Sequence, residues 1–277
     1  MHKTLGVPYR LHIAHDRRTQ NEAVTLIFWH GIAASSTIWN KVFNALSENQ
    51  AFDRARIITM DLLGFGESPA PDWSNYTTDD HLRSLHRTLR NLDIKTPVIL
   101  VGHSMGSLLA VQYTTSHPKN IVALALVSPP FLRPTESQIL FDRLYRKAYN
   151  KLLREIKVKH LDQIASFFEG IGGLESDAVG QEAFRYSMQH VVLNGRAFTQ
   201  LKRLRMPIHI FHGSLDFLVN GANVAYLSKR KNVTLHTAPT GHDIVGQKKQ
   251  QLIETLEELI TEQKWRNQRG SNPRHQA

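Results

Sequence analysis

The chain of 277 residues contains no cysteine. That excludes a disulfide scaffold, a thiolate nucleophile and a cysteine-ligated metal. It also lacks any run of about 18 apolar residues, the length a helix needs to span a bilayer. Met1-His2-Lys3 leads into no apolar stretch of secretory type. A cytoplasmic protein is therefore the expectation. Acidic side chains are in deficit, 24 against 34 Lys and Arg, for a formal charge of +10. Such a balance permits contact with anionic lipid, nucleic acid or acidic substrates and says nothing of fold. No nucleic-acid motif accompanies the charge, so a nucleic-acid partner is not expected. Internal repeats and low-complexity tracts are missing too. What is present is 41% hydrophobic residues, enough for a buried core and against disorder over most of the chain. The length suits one large α/β domain with an insertion.

Short apolar runs rich in β-branched residues recur along the chain. They are VTLIFW (Val24–Trp29), RIITMDL (Arg56–Leu62), VILV (Val98–Val101), IVALALV (Ile121–Val127), IHIF (Ile208–Phe211) and VTLH (Val233–His236). Runs of this length suit strands covered on both faces. Helical spacing fills the gaps between them. Leu82, Leu85, Leu89 and Leu92 share a face across Asp79–Leu92, and Met105–His117 follows VILV and stops before Pro118. Leu252, Leu256, Leu259 and Ile260 line one side of a C-terminal helix. Strand–helix alternation predicts an α/β fold with a doubly wound, mostly parallel sheet. Between about Phe131 and Arg205 the strand runs stop and helical spacing takes over. The expected organisation is a core domain of residues 1–130 and 206–265, a helical cap of residues 131–205 inserted between two strands, and a basic, disordered tail of residues 266–277.

Gly102-His103-Ser104-Met105-Gly106 lies between the VILV run and a helix. In that context G-x-S-x-G has a mechanical meaning: the chain turns sharply, glycines let the backbone close in, and the serine stands at the tip. The bland alternative is a serine that merely caps the helix. A serine hydroxyl needs an adjacent base, and the usual base is a histidine oriented by a carboxylate. Asp216 follows the IHIF run and His242 follows the last run, each past the carboxyl end of a strand. Taken singly, a loop aspartate is usually a turn former, and with 15 histidines one after a strand is expected anyway. Ser104, Asp216 and His242 in that order form the candidate catalytic triad. Asp243 is the alternative carboxylate, but an immediate neighbour is poorly placed to orient His242, and it reads as a helix-start residue. After VTLIFW, Gly31 allows close backbone approach. The N–H groups of Ile32 and Met105 are the candidate oxyanion donors.

These motifs together resemble the α/β-hydrolase superfamily, over about Val24–Pro130 and Met206–Ile260. HGIAASSTIW (His30–Trp39) is similar to the family's oxyanion loop and DLLGFGESPAP (Asp61–Pro71) to its glycine-rich loop. GHSMG is similar to its nucleophile elbow, and FHGSLDFLV (Phe211–Val219) and GHDI (Gly241–Ile244) to its acid and histidine loops. The resemblance implies structural roles for Asp61, His30, His103 and His212. Epoxide hydrolases and haloalkane dehalogenases of the family place an aspartate at the elbow, and Ser104 argues against both. Ester hydrolysis is the commonest activity of the serine members. The implied function is a serine hydrolase cleaving a small-molecule carboxylic ester, thioester or lactone through an acyl-enzyme, with no metal or organic cofactor. The alternatives are a carbon–carbon bond hydrolase or acyltransferase on the same triad, and a non-catalytic ligand-binding member of the fold.

The stretch Arg133–Lys159 is rich in Arg and Lys. A cationic cap that attracts anionic substrates or a membrane surface is one reading. A solvated helix face is the other, and it is favoured because charge runs usually are that. The expected partner is a small ester-like molecule, and oligomeric state is not legible.

Overall fold

The computed structural model describes residues 7–134, 143–144, 146–147, 151, 180–243 and 247–270. Among the described residues seven strands form one sheet: β1 (Ile13–Arg17), β2 (Val24–Trp29), β3 (Ala55–Met60), β4 (Val98–His103), β5 (Ile121–Val127), β6 (Ile208–Gly213) and β7 (Val233–Ala238). Their spatial order is β1-β3-β2-β4-β5-β6-β7. Only β1 runs antiparallel, against β3, and the other neighbours are parallel.

The unbroken apolar runs are explained by two cores, one on each face of the sheet. Ile27 and Trp29 of β2 point into one core, with Leu100 of β4 and Ile210 of β6. Leu26 and Phe28 point into the other, with Ile99, Val101 and Phe211. Successive side chains of a strand face opposite ways, so a strand buried on both faces is mainly apolar, and its polar exceptions, Thr25, Arg56 and Thr59, are hydrogen-bonded. Helices α2 (Thr78–Arg90), α3 (Met105–Ser116), α4 (Gln181–Ser187), α5 (Arg196–Leu201) and α6 (Gly221–Leu227) supply Leu85, Leu108, Phe184, Phe198 and Val224 to the first core. Helices α1 (Asn40–Glu48) and α7 (Gln247–Gly270) supply Leu46, Leu252 and Leu256 to the second. The fold is a doubly wound α/β sheet.

Helix α2 starts on a capping box. Thr77 Oγ1 accepts from the Asp80 N–H at 3.1 Å, and the Asp80 carboxylate accepts from the Thr77 N–H at 3.0 Å. Strand β1 had no counterpart among the apolar runs. Its sequence, IAHDR, is half-buried at a sheet edge and held partly by charge. Arg56 of β3, itself buried, grips Asp16 of β1 through Nε at 2.7 Å and a terminal nitrogen at 2.8 Å. That fork-to-fork pairing holds the Asp16 carboxyl below its ordinary range.

Of the stretch expected as a cap, the structure describes 131–134, which is irregular, a few helical positions between 143 and 151, and 180–205, which is mainly helical. The last comprises α4, a π turn at Met188–Val192 and α5. Ala183, Phe184, Val191, Val192 and Leu201 from these elements share the first core with Leu108 and Leu109 of α3. Most of the basic stretch lies outside the described residues, as does 271–277 of the expected tail. Helix α7 continues to Gly270, into the stretch read as tail, since no proline or glycine interrupts it earlier.

Asp61, one residue past β3, ties three loops together. Its carboxylate accepts from the N–H of Ser36 at 2.6 Å, the N–H of Glu67 at 2.9 Å and His12 Nδ1 at 2.9 Å. Burial alone raises this carboxyl, but the His12 hydrogen bond, the nearby His30 and the two N–H donors outweigh it, and the net shift is downward. Replacing Asp61 by alanine strands two N–H groups. The expected loss is about 3 kcal/mol, seen as a lower urea midpoint at unchanged slope. An unchanged midpoint contradicts this role.

Candidate active site

Ser104 stands between β4 and α3 with φ 51° and ψ −117°, a backbone conformation that an L-residue adopts only under constraint. Three glycines make the turn possible by close packing rather than by torsional freedom. A Cβ on Gly102 would sit 2.5 Å from the Ser107 nitrogen, and one on Gly106 would sit 2.4 Å from the Trp29 carbonyl oxygen. A Cβ on Gly31 would press on Ser104 Cβ and His103 Nδ1 at 3.0 Å. The turn is pinned by the Ser104 N–H donating to the Val127 carbonyl at 2.9 Å, and by Ser107 Oγ donating to the Gly102 carbonyl at 2.7 Å. Ser104 occupies the N-cap position of α3, yet its side chain makes no capping hydrogen bond. The hydroxyl is therefore not spent on the helix, as the bland alternative required.

Asp216 and His242 meet at the ends of β6 and β7. His242 Nδ1 lies 2.9 Å from one Asp216 carboxylate oxygen and 3.1 Å from the other. The Leu218 N–H also donates to Asp216, at 3.0 Å. Burial raises the Asp216 carboxyl, but the hydrogen bond and charge from His242, then the charge of Lys248 and the Leu218 N–H, bring it below its ordinary value. The histidine loop can pass this close because residue 213 is glycine: a Cβ there would lie 2.2 Å from the Thr240 carbonyl oxygen. Asp243 makes no bond to the imidazole, and burial pushes its carboxyl up.

The loop carrying His242 is also held from the elbow side. His103 Nε2 donates to the His242 carbonyl at 2.8 Å, with the two rings 5.1 Å apart. Burial drives the His103 imidazole down to about 3, so it stays neutral. His30 is likewise buried and neutral. Its Nδ1–H donates to the Gly31 carbonyl at 2.7 Å and its Nε2 accepts from the Leu62 N–H at 2.8 Å, which fixes one tautomer. Ser104, Asp216 and His242 are all buried, each under 10% exposed. Among the described residues no hydrogen bond joins Ser104 Oγ to the His242 ring. Ile32 and Met105 are buried residues, and no described backbone carbonyl outside α3 accepts from either N–H.

Sequence reasoning missed Lys248. Its side chain is buried, and its ammonium donates to the Ser128 hydroxyl at 2.8 Å, to the Asp243 carbonyl at 2.7 Å and to the Gly241 carbonyl. Nothing in the string QKKQQ distinguishes it from Lys249. Among the described residues no cluster of three His, Asp or Glu is placed to hold a metal ion. No described helix is long and apolar enough to cross a membrane. A cavity of about 900 Å³ lined by Arg10, Arg83, Arg87, Arg90 and His117 lies at the far end of α3 from Ser104.

Asp61 and Asp216 both have depressed pKa values, so each adds stability that is full above the ordinary carboxylate value and is lost as pH falls through the folded one. The buried neutral histidines His30 and His103 take up protons only on unfolding, so unfolding free energy is expected to fall as pH drops below about 6.5, and the two carboxylates steepen that fall below about pH 4. A profile that does not steepen there contradicts the two carboxylate assignments.

A parallel sheet with a strained serine turn at its centre and an Asp–His pair on the following strand ends is the architecture of an α/β hydrolase. The chain belongs to that family: the family model described as alpha/beta hydrolase fold matches residues 24–195. Among curated relatives, it is 36% identical over 115 residues to the probable lysophospholipase BODYGUARD 1 of Arabidopsis thaliana, a match covering 41% of this chain and 24% of that protein. It is 32% identical over 123 residues to the (lyso)-N-acylphosphatidylethanolamine lipase of Mus musculus, covering 42% of this chain and 34% of that one. The chain thus spans about a quarter to a third of the length of these relatives. Among solved structures, an esterase of Exiguobacterium antarcticum shares the fold with a TM-score of 0.71 and 18% identity, over 91% of this chain and 95% of that one.

Proposed function

We propose that the chain is a serine hydrolase that cleaves a small-molecule carboxylic ester through an acyl-enzyme. One observation carries the reading. Ser104 is held at positive φ at the head of α3 with its hydroxyl unused as a cap, one residue from the ring that braces the aspartate-paired His242.

Ser104 Oγ attacks the ester carbonyl while His242 Nε2 takes its proton. Asp216, hydrogen-bonded to Nδ1, fixes the tautomer and stabilises the imidazolium. The N–H groups of Ile32 and Met105 receive the oxyanion, with the positive end of α3 behind them. His242 returns the proton to the leaving alcohol, and water, deprotonated by the same ring, then hydrolyses the acyl group from Ser104. The Ser104–His242 hydrogen bond closes on substrate binding, as catalytic contacts commonly do.

Two relatives are named for action on lysophospholipids or N-acylphosphatidylethanolamine, so a lysophospholipid joins the substrate panel. The test is steady-state hydrolysis of p-nitrophenyl esters from acetyl to dodecanoyl and of a lysophosphatidylcholine. Turnover with a defined chain-length optimum is the expected result. No turnover of any ester, by folded protein, overturns ester hydrolysis and favours carbon–carbon bond cleavage or acyl transfer.

A further inference from the structure

We propose that Lys248 is a positioning residue of this site: its ammonium clamps the His242 loop to the end of β5 beside the nucleophile. The inference rests on the hydrolase reading above. All three ammonium protons are committed. Two go to the carbonyls of Gly241 and Asp243, which flank His242 on either side. The third goes to Ser128 Oγ. Ser128 directly follows Val127, whose carbonyl accepts the Ser104 N–H at 2.9 Å, and its own N–H donates to Phe211 of β6 at 2.8 Å. A short bonded path therefore runs from the nucleophile's backbone through Val127, Ser128 and Lys248 to both sides of the base.

A lysine this deeply buried is rare unless its charge is matched. The charged and titratable groups facing it come from each neighbouring element. Asp216 and His212 lie at the end of β6, His242 and Asp243 in the loop after β7, and His103 at the elbow. The two carboxylates favour the ammonium, but burial outweighs them and brings Lys248 down to about 8. Loss of the proton leaves two donors for three acceptors and removes a positive charge near Asp216. The His242 loop then loses part of its tether, while Ser104 keeps its own backbone bond to Val127.

The experiment measures kcat and KM on p-nitrophenyl butyrate from about pH 6 to 9.5 for the wild type, Lys248→Met and Ser104→Ala, with circular dichroism of each. A side-chain NMR titration of Lys248 in the wild type runs alongside. The wild type is expected to lose kcat above about pH 8 at constant KM, with the same midpoint as the Lys248 titration. Lys248→Met is expected to have kcat lower by about 10- to 100-fold at neutral pH, KM within about twofold, and no such alkaline limb. A folded Lys248→Met with wild-type kcat and an unchanged limb overturns the proposal. Should that variant not fold, the wild type decides alone: a Lys248 titration that does not coincide with the kcat limb overturns it. Ser104→Ala separates the two claims, because equal turnover there removes the hydrolase reading itself, whatever Lys248 does.

Discussion

Replacing Ser104 by alanine is expected to lower kcat on any ester the protein cleaves by about 10⁴-fold or more, with the fold intact. In the proposed mechanism the hydroxyl forms the covalent bond, and removing it leaves the turn without that nucleophile. Its loss leaves the two backbone donors and the binding surface, which support only a residual rate over water. Stability is expected to hold, because Ser104 Oγ caps nothing and the turn is pinned by backbone and by Ser107. Asp216→Asn is expected to approach the same loss by a different route, since an amide beside Nδ1 favours the wrong imidazole tautomer. Steady-state kinetics beside a thermal melt checks both: Ser104→Ala is expected to keep the wild-type melting temperature, and Asp216→Asn, which gives up a stabilising carboxylate, to stay folded but melt lower. Substantial turnover by either variant contradicts the roles assigned here.

Gly106→Ala is expected to cost about 3 kcal/mol or more, the largest stability effect of any single methyl addition at the elbow. The added carbon meets the Trp29 carbonyl oxygen at 2.4 Å and the His30 carbonyl oxygen at 2.5 Å, and both are backbone atoms of a central strand and its exit loop. No rotamer change relieves such a clash. The first turn of α3 must move away from β2, or the loop carrying Ile32 must shift. Either movement separates the Met105 and Ile32 N–H groups from one another, so activity is expected to fall further than stability. Chemical denaturation together with kcat/KM measures the two effects. A variant as stable and active as the wild type contradicts the packing described for the elbow.

The residues differ in how plainly they announced their place. IVALALV, apolar at every position, and VTLIFW, apolar but for Thr25, are strands over just those spans because both faces of the sheet are covered. The loops bearing Ser104, Asp216 and His242 were legible because each follows such a run, and parallel strands present their carboxyl ends at one edge. Strand β1 was not legible. IAHDR has the composition of a surface loop, and it becomes a strand through tertiary contacts, above all the Arg56–Asp16 pair. Helices α1 and α6 were missed because nine and seven residues give too few repeats for a helical period to stand out. The glycines at 31, 106 and 213 read as ordinary loop or motif residues, and only the structure reveals which carbonyl or side chain each admits. Lys248 stayed hidden for the opposite reason. In a helix rich in Lys, Gln and Glu a charge signals solvent, and its burial depends on where the loop after β7 crosses the helix.

The central claim is that Ser104 is the activated nucleophile. A fluorophosphonate probe tests it most directly, because it bonds only to a serine that an adjacent base activates. The wild type, labelled at neutral pH, digested and mapped by mass spectrometry, is expected to carry one adduct, on Ser104, and Ser104→Ala and His242→Ala are expected to carry none. An adduct on another residue, or folded wild type that stays unlabelled, contradicts the account.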